Sequence, residues 1–191
     1  TLDLTTVYND DTIVCSSSVA DPDESLSISY EWTLEGAVVG STDTLDLSAT
    51  TAMPQESLVC TASADDSDSG SASETASITI ANRAPGAPTI SISPTSPTEG
   101  EDDLVCAVDT DSTDDDGNSV SYTYAWSIDG VVDGSYITDT VSASDTSAGE
   151  VWECTVTPND GDDDGATAKD SVTVEDACTD DYMLTFSGGL Q

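Results

Sequence analysis

The feature that most constrains the fold of this chain is a pattern of cysteine, tryptophan and cysteine that occurs twice. In both copies the second cysteine follows the tryptophan by 28 residues, and the copies are offset by 91 to 94 residues. The six residues are Cys15, Trp32, Cys60, Cys106, Trp126 and Cys154. The surrounding sequences also match, since IVCSSSVADPDESLSISYEWTLEGAVV at 13–39 aligns with LVCAVDTDSTDDDGNSVSYTYAWSIDGVV at 104–132. The chain therefore contains one structural unit twice.

A segment rich in proline and glycine separates the two copies. Residues 81–88 read ANRAPGAP, and this composition does not continue a strand because proline lacks the amide donor that a β-ladder needs. We predict a domain at 1–80, a linker at 81–88 and a second domain at 89–174. Residues 175–191 follow as a C-terminal tail.

Apolar side chains occupy every second position around each tryptophan, and small or polar side chains occupy the positions between them. The apolar set is Ile28, Tyr30, Trp32 and Leu34 in the first copy, and Tyr122, Tyr124, Trp126 and Ile128 in the second. A period of two indicates a β-strand with one buried face. Several such segments between turns rich in Asp, Ser and Gly predict an all-β chain built of antiparallel sandwiches.

The Cys, Trp and Cys order, the Y-x-W strand and the segment DTSAGEVWEC together resemble the immunoglobulin-like fold. The tandem acidic copies, with APGAPTISISPTSPTEGEDDLVC between them, also resemble the immunoglobulin-like or polycystic-kidney-disease-like repeats of large bacterial and archaeal surface, adhesin and filament proteins. The resemblance implies two tandem immunoglobulin-like antiparallel β-sandwiches, with Trp32, Trp126 and Trp152 in their cores. One departure is clear, because Leu58 and Trp152 stand where the family has a corner tyrosine.

The same resemblance implies one disulfide between the sheets of each domain, Cys15 with Cys60 and Cys106 with Cys154. Each bridge would close a loop of more than forty residues and contribute ~4 kcal/mol by restricting the unfolded chain. Paired cysteines also predict an extracellular location. The alternative is two buried thiols in each domain. Cys178 is left over, so it pairs with another domain, with another chain or with nothing.

Acidic residues cluster in two loops of the second copy, which the resemblance places side by side. The candidate calcium ligands are Asp109, Asp111, Asp114, Asp116, Asp160, Asp162 and Asp164. The last three, followed by Gly165, match the first half of a D-x-D-x-D-G calcium loop. Ser171 stands where an EF-hand would need glutamate, so that motif is rejected. The sequence leaves two interpretations open, a Ca²⁺ ion held between loops as the candidate cofactor, or solvated turns without a metal.

Charge excludes several functions. The chain has 39 acidic residues, no histidine and a formal net charge of -37, with Arg83 and Lys169 as its only basic side chains. Such a charge repels nucleic acids and anionic lipids, which bind clustered basic residues. No apolar run reaches the roughly 18 residues of a membrane-spanning helix, so we predict no membrane insertion. Without histidine, and with paired cysteines, the usual nucleophile and base arrangements cannot form, and we predict no enzymatic activity.

The C-terminal tail contains a short apolar pattern made of Tyr182, Met183, Leu184 and Phe186. An unpaired apolar strand promotes aggregation, so this segment either begins another domain or adds a strand to a neighbouring subunit. The expected partners are neighbouring domains of the same polypeptide or identical subunits of a surface assembly. The leading hypothesis is an extracellular structural or adhesive module, a rigid acidic spacer or fibre subunit stiffened by calcium. The alternative is a module that binds a glycan or protein through its loops.

Overall fold

The computed structural model describes residues 1–177 and contains β-strands with two short 3₁₀ turns. The chain divides into two units. Unit 1 comprises Thr1–Ala84 together with Asp114–Asn118, and unit 2 comprises Pro85–Thr113 and the chain from Ser119 onward. The division between Ala84 and Pro85 falls inside the segment 81–88. Cys178 and the apolar tail residues Tyr182, Met183, Leu184 and Phe186 lie outside the described residues.

Unit 1 contains six strands in two antiparallel sheets. The strands are β1 (Thr12–Val14), β2 (Ser29–Leu34), β3 (Ala37–Gly40), β4 (Thr44–Asp46), β5 (Ser57–Asp65) and β6 (Ser71–Thr79). One sheet pairs β1 with β4, and the other has the order β3-β2-β5-β6. A 3₁₀ turn at Leu47–Ala49 follows β4, and the side chain of Asp46 caps it by accepting from the backbone N–H of Ser48.

The described residues of unit 2 form seven strands in two antiparallel sheets. The strands are β7 (Thr89–Ser93), β8 (Leu104–Thr110), β9 (Ser121–Ile128), β10 (Val131–Asp133), β11 (Thr140–Val141), β12 (Val151–Asn159) and β13 (Ala168–Thr173). Their orders are β11-β8-β7 and β10-β9-β12-β13. A 3₁₀ turn at Ala143–Asp145 follows β11. No helical segment within residues 1–177 has the length and apolar character needed to cross a bilayer.

The prediction of two all-β sandwiches, each with one disulfide between its sheets, is confirmed. Cys15 lies beside β1 and bonds Cys60 of β5, so this bridge joins the two sheets of unit 1. The bridge between Cys106 of β8 and Cys154 of β12 joins the two sheets of unit 2 in the same way. The bridges span 45 and 48 residues of sequence.

A tryptophan lies opposite the second cysteine of each unit. Trp32 pairs with Cys60 across β2 and β5, and Trp126 pairs with Cys154 across β9 and β12. Both indole rings are 0% exposed. A buried indole N–H needs an acceptor, and these donate to the carbonyls of Thr42 at 2.8 Å and Thr138 at 2.9 Å.

Trp152 occupies the position where the resemblance led us to look for a tyrosine. Its ring is 0% exposed and meets the ring of Trp126 edge to face, with centroids 6.2 Å apart. Tyr136 packs edge to face on its other side at 5.1 Å. The indole N–H donates to Glu150 Oε2 at 2.9 Å. An aromatic cluster therefore fills this part of the core of unit 2 without a corner tyrosine.

Candidate functional site

The guanidinium of Arg83 lies at the centre of a network of polar contacts in unit 1. Its Nε donates to Asp116 Oδ1 at 2.9 Å, and one terminal nitrogen lies 2.8 Å from the same oxygen. The terminal nitrogens also lie 3.1 Å from Asp10 Oδ1 and 3.1 Å from Asn9 Oδ1. The guanidinium carbon lies 4.8 Å from the centroid of the Tyr8 ring, which adds a cation–π contact.

Asp116 is the buried member of this network. Its side chain is 0% exposed, whereas the side chain of Asp10 is 56% exposed. The backbone N–H of Arg83 donates to Asp116 Oδ2 at 2.6 Å, so both carboxylate oxygens accept hydrogen bonds from Arg83. Burial of a carboxylate is unfavourable unless it is paired and hydrogen-bonded. In this structure Asp116 is the ion-pair partner of Arg83, and its role as a calcium ligand stays a prediction.

The surroundings of Arg83 favour the charged form of its guanidinium. Burial by itself lowers the pKa of its guanidinium, but hydrogen bonds and attraction from Asp10 and Asp116 outweigh that effect, and the pKa lies above its ordinary value. The residue is therefore a permanent cation that holds carboxylates, and it does not serve as a proton donor or acceptor.

The segment 114–118 is also held by its own turn. Asp114 Oδ1 accepts from the backbone N–H groups of Asp116 at 2.9 Å and Asn118 at 3.1 Å. Gly117 has a φ of 82°, a conformation that glycine adopts without steric cost. The side-chain amide of Asn9 donates to the carbonyl of Asp116 at 2.8 Å. Thus the acidic segment is ordered by hydrogen bonds from its own backbone and from unit 1.

Two acidic side chains near the end of β8 accept hydrogen bonds from hydroxyl groups. Asp109 Oδ1 accepts from Ser91 Oγ at 3.0 Å, across the β7 and β8 pair. Asp111 Oδ1 accepts from the Tyr122 hydroxyl at 3.3 Å. That same hydroxyl oxygen accepts from the backbone N–H of Ser112 at 2.7 Å. These two carboxylates therefore take part in local hydrogen bonds at the end of β8.

The other acidic loop of unit 2 connects β12 to β13. Asp160 is 7% exposed, and its Oδ1 accepts from the backbone N–H groups of Asp162 and Asp163, each at 2.8 Å. Asp164 Oδ1 accepts from the side-chain amide of Asn159 at 2.8 Å. Asp162 and Asp164 are exposed. The D-x-D-x-D pattern forms a turn in which the first aspartate caps the backbone that follows it.

The structure divides the predicted calcium ligands between the two units. Asp114 and Asp116 belong to unit 1, and the other five belong to unit 2. Within residues 1–177, no group of three or more His, Cys, Asp or Glu side chains is placed so that it could hold a metal ion. Calcium binding by these loops therefore stays a prediction, and the observed chemistry of the carboxylates is hydrogen bonding to turns, hydroxyls and Arg83.

Sequence reasoning missed the role of Arg83. The residue stands in the segment 81–88 and is one of two basic residues in the chain. Its rarity among 39 acidic residues was the available signal, because a single cation in such an excess of carboxylates has many potential partners. The identity of the partner could not be read from spacing, since Asp116 lies 33 residues away along the chain.

Comparison with known proteins gives the chain no family. No protein-family model matches it, and no curated protein matches it. The solved structures that are similar to the chain include two at low identity. The fibronectin(III)-like modules of Clostridium thermocellum CbhA share 14% identity at a TM-score of 0.31, over 93% of this chain and 94% of that chain.

The second similar structure contains the three N-terminal domains of the highly immunogenic outer capsid protein (Hoc) of bacteriophage RB49. It shares 15% identity at a TM-score of 0.34 and covers 92% of this chain. The present chain spans 57% of the length of that Hoc chain. Neither similarity is strong enough to transfer a function to this chain.

Proposed function

We propose that this chain is a non-enzymatic structural module of an extracellular protein, and that its task is to keep its shape when the polypeptide is pulled. The observation that carries the proposal is the position of the two disulfides. Each bridge joins the two sheets of one sandwich and is buried next to a tryptophan. The sheets of a bridged sandwich cannot separate fully, so the unit retains a closed loop even after its hydrogen bonds break.

The surface chemistry supports the extracellular part of this proposal. Disulfides form and persist in oxidising compartments. A net charge of -37 keeps a protein soluble and repels polyanionic partners. More specifically, we propose that the chain acts as a spacer or as a subunit in a surface assembly. Its partners would be neighbouring domains of the same polypeptide or identical subunits.

Single-molecule stretching of the oxidised chain from both ends tests the proposal. We expect one rupture event for each unit, because each sandwich is a separate compact body. With the bridges intact, the residues between the paired cysteines stay unextended. Reduction frees the 45 and 48 residues that the bridges span, which at 3.3–3.6 Å per residue adds about 150–170 Å of length per unit.

A variant with Cys15→Ala and Cys60→Ala is the matched control. In this variant the length released by the rupture of unit 1 should increase. The length released by unit 2, which keeps the Cys106–Cys154 bridge, should stay unchanged. A chain that extends smoothly, without rupture events in the oxidised state, would show that the module does not resist force and would exclude the proposed function.

A further inference from the structure

Strand β6 (Ser71–Thr79) is the last strand of its sheet and pairs with β5 on one side. All nine of its residues pair with β5 in a continuous antiparallel register. Seven of the nine are exposed, and Ala76 and Ile78 are partly buried. A long, regular edge strand of this kind presents a row of backbone N–H and C=O groups with which another strand can pair.

The backbone groups of β6 point alternately toward β5 and away from it. Just beyond the strand, the N–H of Ile80 donates to the carbonyl of Glu56 on the β5 side at 2.9 Å. The N–H of Ala81 donates on the opposite side, to the carbonyl of Val7 at 2.8 Å. The same alternation places the N–H and C=O groups of the odd-numbered residues of 71–77 on the outer side. In the part of the chain that the structure describes, those groups have no strand partner.

An edge at this position is a feature of the fold that both units share. Strand β13, the counterpart of β6, is likewise the last strand of its sheet. Unit 2 has a first strand, β7, and that strand pairs with β8 and not with β13. The two edges therefore have the same place in the sandwich and differ in their side chains.

Strand β13 carries charges where β6 is neutral. Their registers, aligned at the second cysteine of each unit, match Lys169 and Asp170 with Thr75 and Ala76. Asp170 Oδ2 also accepts from the backbone N–H of Ile92 at 2.8 Å, so β7 is held against that edge. Charged side chains protect an edge strand from pairing with a second strand. The centre of β6 lacks this protection.

We propose that β6 pairs antiparallel with β6 of a second copy of this chain, with Thr75 opposite Thr75 at a two-fold axis. The partner is the identical subunit of the proposed function, on which this assignment rests, and β6 is the surface at which two such subunits meet. Two four-stranded sheets then join into one continuous sheet across the axis. A two-fold interface requires a surface that is complementary to itself.

The sequence of β6 meets that requirement. In this register Ser73 lies opposite Ser77 of the second copy, and Glu74, the charged residue of the strand, lies opposite Ala76. Pairs of Ser or Thr across two strands are favourable, and no carboxylate lies directly opposite another. A register centred on Glu74 would oppose two carboxylates and is disfavoured for that reason. The outer groups of Ser73, Thr75 and Ser77 supply about six hydrogen bonds, two for each opposed pair.

The net charge of the chain opposes this contact at low ionic strength. Two chains of formal charge -37 repel each other. In about 1 M sodium chloride the screening length falls to about 3 Å, so charges far from the strand no longer oppose the pairing. We therefore expect the dimer to form at high ionic strength and to dissociate when the salt is removed.

Sedimentation velocity of the oxidised chain in about 1 M sodium chloride measures the association. As the protein concentration rises from about 0.01 mM to about 1 mM, we expect the apparent mass to rise from 19.6 kDa toward twice that value. Amide hydrogen exchange followed by NMR then locates the contact. Exchange at Ser73, Thr75 and Ser77 should slow roughly tenfold at the higher concentration. Exchange at Lys169 and Ser171, on the outer side of β13, should stay unchanged.

The variant Thr75→Pro removes an outer N–H group at the axis. Proline is compatible with an edge strand where the N–H faces solvent, so the hydrogen bonds to β5 stay in place. The matched control Thr75→Val keeps the N–H group. We expect the proline variant to stay monomeric and the valine variant to dimerise like the unmodified chain, and the melting temperature of each monomer checks that it is folded.

A chain that stays monomeric at about 1 mM in high salt would overturn the proposal. So would a dimer whose outer β6 amides exchange as fast as those of the monomer, or a dimer that persists in Thr75→Pro. The exchange measurement uses the unmodified chain, so it decides the question even if the proline variant does not fold. Stretching follows single chains and is independent of this result. A monomer that resists force keeps the structural role and excludes the β6 interface, whereas a dimer that extends smoothly does the reverse.

Discussion

The two basic side chains of this protein have very different environments. Arg83 is 24% exposed and faces a carboxylate that is 0% exposed, whereas Lys169 is 56% exposed and faces Glu153, which is 38% exposed. Exposed ion pairs contribute little because water and salt screen them and because two flexible side chains must be ordered. Loss of one member of a buried pair leaves the other charge without compensation. The arginine should therefore matter far more than the lysine.

Arg83→Gln is expected to lower the free energy of unfolding of unit 1 by about 3 kcal/mol, because Asp116 would stay buried without a counter-ion. The matched control, Lys169→Gln, should change stability by no more than about 0.5 kcal/mol. Denaturant unfolding followed by tryptophan fluorescence measures both. Equal effects of the two substitutions would contradict the assignment of Arg83 as the central contact of its network.

Ionisation of the Tyr136 hydroxyl is expected to lower the stability of unit 2 at alkaline pH. Burial raises the pKa of its hydroxyl above 10.0, and the charges of Asp145, Asp133 and Glu150 raise it further. The unfolded chain therefore loses this proton first as the pH rises. The contribution of Tyr136 to the free energy of unfolding is fully present below the pKa of its hydroxyl in the unfolded chain. It is lost as the pH rises through the pKa of that hydroxyl in the folded chain.

The substitution Tyr136→Phe keeps the ring that packs on Trp152 and removes the ionisable hydroxyl. Its melting temperature should match that of the unmodified chain at neutral pH and decline less steeply above pH 10.0. A series of thermal unfolding curves across that range is the measurement. Parallel declines in the two proteins would show that Tyr136 does not cause the alkaline loss.

At the scale of elements, two hairpins use the same turn. Glu35 and Gly36 have φ values of 46° and 82°, and Asp129 and Gly130 have values of 51° and 80°. Positive φ at both central residues is typical of a type I′ turn, which matches the twist of two-residue hairpins and favours glycine at its second position. The repeated sequence motifs EG and DG therefore determine how β2 connects to β3 and how β9 connects to β10.

Gly130→Ala should destabilise unit 2 by about 1 kcal/mol, because a Cβ atom is strained at this positive φ. No atom lies within 4 Å of the position a Cβ would take at Gly130, so the expected cost is conformational and not a clash. Gly134 is the matched control, since it also has open space there and its φ is outside the left-handed range. If Gly134→Ala lowers the melting temperature as much, the turn is not the cause.

At the scale of the whole molecule, a net charge of -37 opposes compaction. Added salt screens this repulsion, so the melting temperature should rise with sodium chloride. The calcium hypothesis predicts something further. At constant ionic strength, millimolar calcium should raise the melting temperature above its value in EDTA, because an ion that binds only the folded chain stabilises it by mass action.

Calorimetry with the variant Asp160→Asn and Asp162→Asn distinguishes binding from screening. Loss of the calcium-specific rise in this variant, with the sodium chloride response preserved, would support a site in the loop between β12 and β13. Equal melting temperatures in calcium and in EDTA for the unmodified chain would contradict the hypothesis and would leave these aspartates as caps of their own turns.

Periodic patterns in the sequence predicted the all-β class, and the resemblance to immunoglobulin-like domains implied the two bridged sandwiches and the buried tryptophans. Strand periodicity and the spacing of Cys15, Trp32 and Cys60 are local patterns, and the second copy repeats them. Such patterns are predictable because the same short-range rule, alternation of side chains across a sheet, acts at every residue.

Tertiary structure alone decided the rest. The pairing of Arg83 with Asp116 and the assignment of Asp114–Asn118 to unit 1 both depend on contacts between segments distant in sequence. Calcium binding by the acidic loops stays a prediction, and the structure shows that Asp109, Asp160 and Asp164 accept hydrogen bonds from N–H or O–H groups. The physical reason is that strand register and loop packing, which sequence spacing does not specify, determine which polar groups meet.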